Sequence, residues 1–271
     1  MTEEILNRKG VRKAQDIPNE VLDLLNNGKI ETVNLTEWLA INQVELLDHV
    51  FPKIGLTECL DKVKNGIKQL KKPSTMSSIK TIGEILYKHC SENKSLVSTL
   101  NNLSNHKSDT LRCYATYLIS LNNQLNIEEK LMQSQKLIAD KHFGVREVVW
   151  IALRPEIEKD LKKSINILST WTKNPNENIR RFTTESIRPR GVWCKHINSL
   201  KEEPEQALII LEELKSDKSK YVQDSVGNWL NDASKSQPKF VADLCNDWET
   251  KSSSKETEKI IKRARRTIDK K

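Results

Sequence analysis

HFGVREVVWIALRP, residues 142–155, is the stretch that decides the fold, because its pattern recurs in three other parts of the chain. The other copies are SDTLRCYATYLISL from Ser108, NENIRRFTTESIRP from Asn176 and SKYVQDSVGNWLND from Ser219. Their first aliphatic positions are 34, 34 and 43 residues apart and are occupied by Leu111, Val145, Ile179 and Val222. Apolar groups, including the methyl of Thr183, recur at positions 0, +4 and +8 of each copy, which is the period of an amphipathic helix.

A second helical segment lies between successive copies, as in KDLKKSINILSTWTKN (159–174) and EPEQALIILEELKSD (203–217). Helix pairs repeated at about this interval stack into α-solenoids of the HEAT type. The chain has only eight glycines and eight prolines, which leaves little turn material for an all-β fold. The sequence therefore predicts an all-α, HEAT-like-repeat α-solenoid, a curved superhelix of stacked helix pairs with a concave basic groove.

The repeats differ in regularity along the chain. Residues 105–250 carry the clear repeats, whereas residues 1–104 show helical patterns with irregular spacing and are interpreted as capping repeats. Together, residues 1–250 are predicted to form a single solenoid. After KSSS, residues 251–271 form a basic segment with eight basic and three acidic side chains in KETEKIIKRARRTIDKK, predicted to be a C-terminal helix or tail that could contact nucleic acid.

Charge and composition exclude several classes of protein. The net charge is +8 and the isoelectric point is near 9.1, which favours a polyanionic partner, although a merely lysine-rich surface would give the same balance. No apolar run approaches the ~18 residues of a membrane span, and the first residues lack a signal-peptide core, so we expect a cytoplasmic protein with no membrane partner. The five cysteines are scattered without a C-x-x-C, and Cys194 with His196 is too few ligands for a convincing metal site. No phosphate loop, G-x-S-x-G or kinase signature is present.

The helix face opposite the apolar stripe carries a set of charged residues. At about 100° per residue, positions +2, +6 and +10 point away from positions 0, +4 and +8. In the last three copies these positions include Glu147, Ile151, Arg181, Glu185, Asp224, Asn228 and Asp232, and in the first copy Cys113 and Tyr117. In a HEAT stack the second helix of each pair lines the concave surface, so we predict that these residues lie side by side along one groove. Position +1 adds what we predict to be a basic ladder beside the groove, formed by Arg112, Arg146 and Arg180.

Two interpretations of these charges compete. Arg181 and Glu185 could form an ordinary i,i+4 pair worth about 0.2–0.5 kcal/mol, with the other acids solvated. Alternatively, carboxylates clustered in a basic groove act on something carried by a polyanion, since each acid would repel phosphate if the groove only held DNA. The conjunction favours a functional site without proving one.

The turn RPRGVW, residues 188–193, follows the third copy. Pro189 lacks an amide hydrogen and Gly191 permits a close backbone approach, so the turn could bring Arg188, Arg190 and backbone amides to a phosphate. Trp193 would then be available for stacking, although a tryptophan more often belongs to a core.

Three blocks, VREVVWIALR, NIRRFTTESIRPRGVW and YVQDSVGNWLNDASKSQP, resemble the AlkC/AlkD superfamily of HEAT-like-repeat DNA glycosylases, and the AlkC branch more closely. The similarity is dense from about residue 140 to residue 248. The resemblance implies bacterial base-excision repair with removal of alkylated bases, typically 3-methyladenine and, for the AlkC branch, 3-methylcytosine. The positions that match the family's site are Glu147, Arg181, Glu185, Trp193 and Asp232.

The resemblance also assigns roles. Asp232 is the first candidate for the carboxylate that stabilises an oxocarbenium-like sugar and orients the attacking water, and Glu185 and Glu147 are further catalytic candidates. Arg181 would hold Glu185 and contact a phosphate, and Trp193 would pack against the lesion. Further DNA contacts are expected from Arg146, Arg188, Arg190, Lys195 and Lys235.

The expected partner is double-stranded DNA with alkylated bases, bound by a monomer without a metal or an organic cofactor. The alternative that stays open is a non-catalytic HEAT-repeat module that binds DNA structures or protein partners.

Overall fold

The structure, a computed structural model, describes residues 2–252 and 254–270. All regular structure in this part of the chain is helical, which confirms the predicted all-α class. Short 3-10 turns link seventeen α-helices: α1 Glu3–Leu6, α2 Asn19–Asn26, α3 Leu35–Ala40, α4 Gln43–Val50, α5 Leu60–Lys68, α6 Thr75–Glu92, α7 Leu96–Ser104, α8 Asp109–Ser120, α9 Ile127–Ile138, α10 Phe143–Lys159, α11 Leu161–Thr170, α12 Glu177–Glu185, α13 Asn198–Glu202, α14 Leu208–Leu214, α15 Lys220–Ser234, α16 Pro238–Lys251 and α17 Lys255–Ala264.

The chain divides into two compact units. Unit 1 consists of Met1–Gln124 and Asp140–Ala152, and unit 2 of Leu125–Ala139 and Leu153–Lys271. The units therefore alternate along the chain, and neither predicted boundary, after residue 104 or after residue 250, coincides with the division between them. A single solenoid over residues 1–250 stays a prediction.

Polar residues set the starts of the repeat helices. The Asn126 side chain accepts the amide hydrogens of Glu128 and Glu129 at the start of α9, and the Glu129 carboxylate accepts the Asn126 amide in return. Asn176 caps α12 by accepting the Asn178 amide hydrogen, and Ser219 caps α15 by accepting that of Tyr221. Each cap satisfies amide groups that have no partner within the helix, a contribution of about 1 kcal/mol. The four repeated stretches correspond to α8, α10, α12 and α15.

In unit 1, α8 is buried along its whole length, Asp109–Ser120. Its neighbour α6 approaches closely at Gly83, where any added Cβ would collide with the Tyr117 side chain. The prediction that Cys113 and Tyr117 face an open groove is wrong, because α8 is covered on both faces. Helical periodicity identifies one buried face, but it does not detect a second layer packed against the other.

The arginines at position +1 form a repeated structural contact. Arg112, Arg146 and Arg180 each donate through Nη1 to the carbonyl oxygens five and six residues earlier, at 2.7–3.1 Å. Asp140 binds Arg112 at 2.7 Å, and Asp217 binds Arg180 at 2.6 Å. The predicted basic ladder is therefore wrong for Arg112 and Arg180. Carboxylates neutralise their charges, and their hydrogen bonds hold the loops that precede their own helices. The DNA contact of Arg146 stays a prediction.

The basic C-terminal segment forms α17 and packs on α15 within unit 2. Thr257, Ile260, Ile261 and Ala264 are its buried residues, and an added Cβ at Gly227 of α15 would lie 2.8 Å from Arg263 Cβ. Of the two predicted forms, helix or tail, Lys255–Ala264 is a helix with a buried apolar face, and the 3-10 turn Arg265–Thr267 follows it. Residues 253 and 271 lie outside the described residues. Within the described helices, none is both long and apolar enough to cross a membrane.

Candidate functional site

Glu185, the last residue of α12, lies at the centre of a buried ion cluster in unit 2. Only 3% of the residue is exposed. Its carboxylate accepts hydrogen bonds from Arg188 Nη1 at 2.9 Å and from Ser225 Oγ at 2.7 Å, and Arg181 Nη2 lies 3.5 Å away. The predicted Arg181–Glu185 pair is therefore present, but it is one part of a larger arrangement.

The electrostatics of this cluster keep Glu185 ionised. Burial alone would raise the pKa of its carboxyl group, since a charge is poorly solvated there. The positive charges of Arg181 and Arg188, with the hydrogen bonds from Arg188 and Ser225, outweigh burial and hold the pKa below its ordinary value. The cluster therefore contains a fixed negative charge at neutral pH.

Asp232, on α15, is joined to Glu185 through Arg188. The Arg188 Nε and Nη2 atoms donate to Asp232 Oδ2 at 2.9 and 2.6 Å, and Lys235 Nζ donates to Oδ1 at 2.9 Å. Only 4% of Asp232 is exposed. Arg188 thus bridges two carboxylates from helices α12 and α15. The pKa of Arg188 lies above its ordinary value, because the two carboxylates outweigh the burial that would lower it.

This geometry corrects the placement predicted for the carboxylates. Glu185 and Asp232 do not lie on an open surface, and the Arg188 side chain is only 13% exposed. Two acidic groups are enclosed with Arg181, Arg188 and Lys235, so the five charges sum to +1. Lys235, with 42% of its side chain exposed, is the most accessible member of the pairs around Asp232.

Asp224 and Asn228 do not line the strip beside Arg181 as predicted. Asp224 forms ion pairs with Arg263 and Lys220, and Asn228 accepts hydrogen bonds from Arg263 and Arg266. Because α17 and the 3-10 turn after it pack on α15, Arg263 and Arg266 cover these two side chains. Arg181 instead lies over the Tyr221 ring, with its guanidinium carbon 4.3 Å from the ring centroid, a cation–π contact.

Trp193 stands at the tip of the turn that follows α12. The residue is 62% exposed and its φ is +62°, a left-handed conformation that costs a non-glycine residue about 1–3 kcal/mol. The Ile197 amide donates to the Pro189 carbonyl at 3.1 Å and closes the loop. Gly191 lies close to Cys194, whose Sγ would have to move to make room for an added Cβ. The turn therefore presents an indole to solvent in a constrained backbone.

Arg154 holds this turn through hydrogen bonds to its carbonyl groups, and the sequence analysis did not identify this arginine. Its guanidinium donates to the carbonyls of Lys195 at 2.9 Å, Ser186 at 3.0 Å and also Arg188. Only 2% of Arg154 is exposed, and no carboxylate of the described residues forms an ion pair with it. Burial accordingly holds its pKa below the ordinary value. The repeat pattern carried the signal: Arg154 and Arg188 both occupy position +9, each followed by proline.

The remaining predicted residues have distinct environments. Arg190 Nη2 donates to Ser236 Oγ at 2.7 Å, and its buried Nε has no hydrogen-bond partner among the described residues. Lys195 is exposed on the turn. Glu147 belongs to unit 1, where it accepts a hydrogen bond from Trp150 Nε1 at 2.9 Å, and its catalytic role stays a prediction.

Metal ligands do not gather in the described part of the chain, where no group of three His, Cys, Asp or Glu side chains could hold an ion. Cys194 packs against Gly191, and burial raises the pKa of its thiol.

Comparison with known proteins relates one segment of the chain to a family. Residues 148–264 match the DNA alkylation repair enzyme family. Over 120 residues, 44% of this chain, the sequence is 42% identical to the uncharacterized protein YhaZ of Bacillus subtilis, and those residues make up 33% of YhaZ. The chain therefore spans about a third of that relative.

Solved structures extend the likeness to nearly the whole chain. The Pseudomonas fluorescens alkylpurine DNA glycosylase AlkC, bound to DNA containing an abasic site analog, superposes with a TM-score of 0.68 at 21% identity, over 96% of this chain and 66% of AlkC. AlkD2 from Streptococcus mutans gives a TM-score of 0.61 at 26% identity, over 77% of this chain and 97% of AlkD2. The protein smu.31 from Streptococcus mutans UA159 gives a TM-score of 0.54 at 25% identity, over 83% of this chain and 98% of smu.31.

These matches confirm the predicted HEAT-like fold class. At 21% identity the likeness to AlkC establishes the fold alone, and AlkC covers more of this chain than AlkD2 does. The site cluster of α12, the turn and α15 lies inside the segment that matches the family. Residues 148–264 thus match the DNA alkylation repair enzyme family, and the fold is similar to that of the helical-repeat proteins AlkC and AlkD2.

Proposed function

We propose that this protein is a DNA glycosylase of base-excision repair that hydrolyses the N-glycosidic bond of alkylated bases in duplex DNA. The observation that carries the proposal is the Glu185–Arg188–Asp232 cluster beside the exposed Trp193, within the segment that matches a DNA alkylation repair family. A protein that only held DNA would not need two acidic side chains next to its binding turn, because cations and other hydrogen-bond donors bind the phosphates.

The chemistry needs little acid catalysis. An N3-alkylated adenine or cytosine is already cationic, so it leaves readily and the remaining demand is to stabilise the oxocarbenium-like sugar and position a water. Asp232 supplies the negative charge for this step, and Glu185 is the second carboxylate of the cluster that supports it. Burial strengthens such electrostatic stabilisation because little water screens it.

Asp232 becomes available to the sugar when one of its cationic partners turns toward a DNA phosphate. Lys235 is suited to this movement, since it is partly exposed and holds only one oxygen of the carboxylate. Arg188 stays in place, with Nε and Nη2 both donating to the other oxygen, Oδ2. The exposed Trp193 indole packs against the lesion, where a cationic base over an aromatic face is favourable.

The experiment that tests this proposal is single-turnover release of 3-methyladenine and 3-methylcytosine from duplex DNA. Wild type is compared with Asp232→Asn and with Asp224→Asn, a matched control that removes an ion-paired carboxylate from the same helix. Asp232→Asn is expected to lower release about 10²- to 10³-fold with DNA affinity changed less than about 3-fold, and the control to stay near wild type.

Two outcomes would contradict the proposal. If the wild-type protein releases neither base, the enzyme assignment fails. If Asp232→Asn and Asp224→Asn release the bases equally well, the cluster is structural. Tight duplex binding without release would support the alternative of a non-catalytic module.

A further inference from the structure

The C-terminal helix α17 has an exposed, positively charged face. Its buried residues, Thr257, Ile260, Ile261 and Ala264, occupy one side of the helix. At about 100° per residue, the opposite side falls within a sector of about 60° that contains Lys255, Lys259 and Lys262, and Arg266 follows in the 3-10 turn Arg265–Thr267. All four are exposed, and we call this set the α17 basic face. The acidic Glu256 and Glu258 fall on the flanks of the sector.

The charges of this face are not neutralised where the structure describes them. Neither Lys259 nor Lys262 has an ion pair with any described carboxylate, whereas Arg263, at the edge of the face, is paired with Asp224. Like charges four residues apart destabilise a helix by a few tenths of a kcal/mol each. Such a row of like charges therefore lowers the free energy of unfolding of the unbound protein. A bound anion removes this repulsion and restores the stability.

The face is anchored to the helix that carries Asp232. Arg263 and Arg266 both bond to Asn228, and Thr267 Oγ1 donates to Asn231 Oδ1 at 3.1 Å, one residue before Asp232. The Arg266 end of the face thus lies beside the site end of α15. Lys255 to Arg266 spans about 17 Å at ~1.5 Å per residue, which corresponds to about five base-pair steps at ~3.4 Å each.

We propose that the α17 basic face binds the backbone phosphates of duplex DNA next to the lesion, without sequence preference. The inference rests on the proposed function, since it assigns the same DNA a second contact. An exposed stripe of flexible cations suits a run of phosphates, and each contact releases counterions. A membrane surface fits less well, because the apolar side of α17 is already buried against α15 and is not available for insertion.

The test compares two variants that lose the same charge. One replaces Lys255, Lys259 and Lys262 with glutamine. The matched control replaces three exposed lysines of unit 1, Lys68, Lys71 and Lys72, with glutamine. Affinity for an unmodified duplex of about 20 base pairs is measured by fluorescence anisotropy from about 50 to 200 mM salt.

We expect the slope of log affinity against log salt to become less steep by about 2–3 in the α17 variant, at ~0.9 per lost phosphate contact. The control should keep the wild-type slope within about 0.5. Equal slopes for the two variants would overturn the inference, as would salt-sensitive binding to phosphatidylserine vesicles that the α17 variant loses while its duplex affinity stays unchanged.

The outcome is separable from the proposed function. Release of 3-methyladenine at saturating DNA is measured for the same proteins and is expected to change less than about 3-fold, because the α17 basic face contacts DNA away from the reacting sugar. Absence of release in every protein, wild type included, would refute the glycosylase assignment, and the salt slopes would still decide whether the face binds duplex DNA.

Discussion

Replacing Arg154 with methionine should weaken both the fold and the turn that presents Trp193. Methionine has a similar length but no donors, so the carbonyls of Ser186, Arg188 and Lys195 lose their partner. A buried acceptor without a partner costs about 1–3 kcal/mol. Water can reach Lys195, and methionine avoids burying a charge that has no carboxylate partner, so part of the cost is recovered. We expect the free energy of unfolding to fall by about 2–4 kcal/mol.

The same substitution should lower base excision through Trp193. The three carbonyls belong to both arms of the loop, so without Arg154 the turn is no longer held to α10. A displacement of about 1 Å at a positioning group can cost ~10²-fold in rate. Single-turnover release should therefore fall about 10- to 100-fold in Arg154→Met and recover in part in Arg154→Lys, which restores a cation with fewer aligned donors.

A double-mutant cycle separates this effect from general destabilisation. In the Trp193→Ala background, Arg154→Met should lower release less than about 3-fold, because the group that it positions is already gone. Arg180→Met is the matched control, since Arg180 also donates to two carbonyls in unit 2 but lies in the loop contact with Asp217. It should reduce the unfolding free energy without a comparable loss of release. Equal effects of Arg154→Met in both backgrounds would refute the reasoning, as would full activity in a folded Arg154→Met protein.

Three further predictions concern stability and reactivity. Because the pKa of Glu185 is lowered in the folded state, its ionisation stabilises the protein above the unfolded pKa of ~4.3, and this stability is lost as pH falls through the folded value. The difference in unfolding free energy between wild type and Glu185→Gln, measured in urea, should shrink from about pH 5 to pH 3; a constant difference would contradict this. Gly83→Ala gains about 1 kcal/mol of helix propensity, but the new methyl group collides with Tyr117. Thermal denaturation should therefore show a net loss of about 1–3 kcal/mol in the free energy of unfolding. A raised Tm would argue against the close contact. Burial raises the pKa of Cys59 and of Cys245 to about 11, so a thiol reagent at neutral pH should label them only as fast as the protein unfolds; immediate labelling would show that they are accessible.

The helical repeats could be read from the sequence because they depend on local order. The 3.6-residue period of apolar groups places α12 and α15 correctly, because this signal acts within one helix. The same period placed Glu185 and Asp232 off the apolar stripe. The resemblance carried by RPRGVW then singled out Trp193, which the structure leaves exposed.

The partners of these residues depend on contacts between segments that are distant in sequence. Arg188 reaches Asp232 across 44 residues, and Arg154 reaches Lys195 across 41. Helical periodicity fixes the direction of a side chain relative to its own axis, but it contains no information on which neighbouring helix covers that side. For this reason the +1 arginines looked like a DNA-facing ladder and Arg154 was not recognised.

The sequence by itself thus determined the helical class, the repeat pattern and the residue types of the site. Only the tertiary structure decided that the two carboxylates are buried, that they share one arginine, and that they lie beside a turn held by another arginine. Burial and ion pairing are set by packing between helices, which the sequence pattern does not contain.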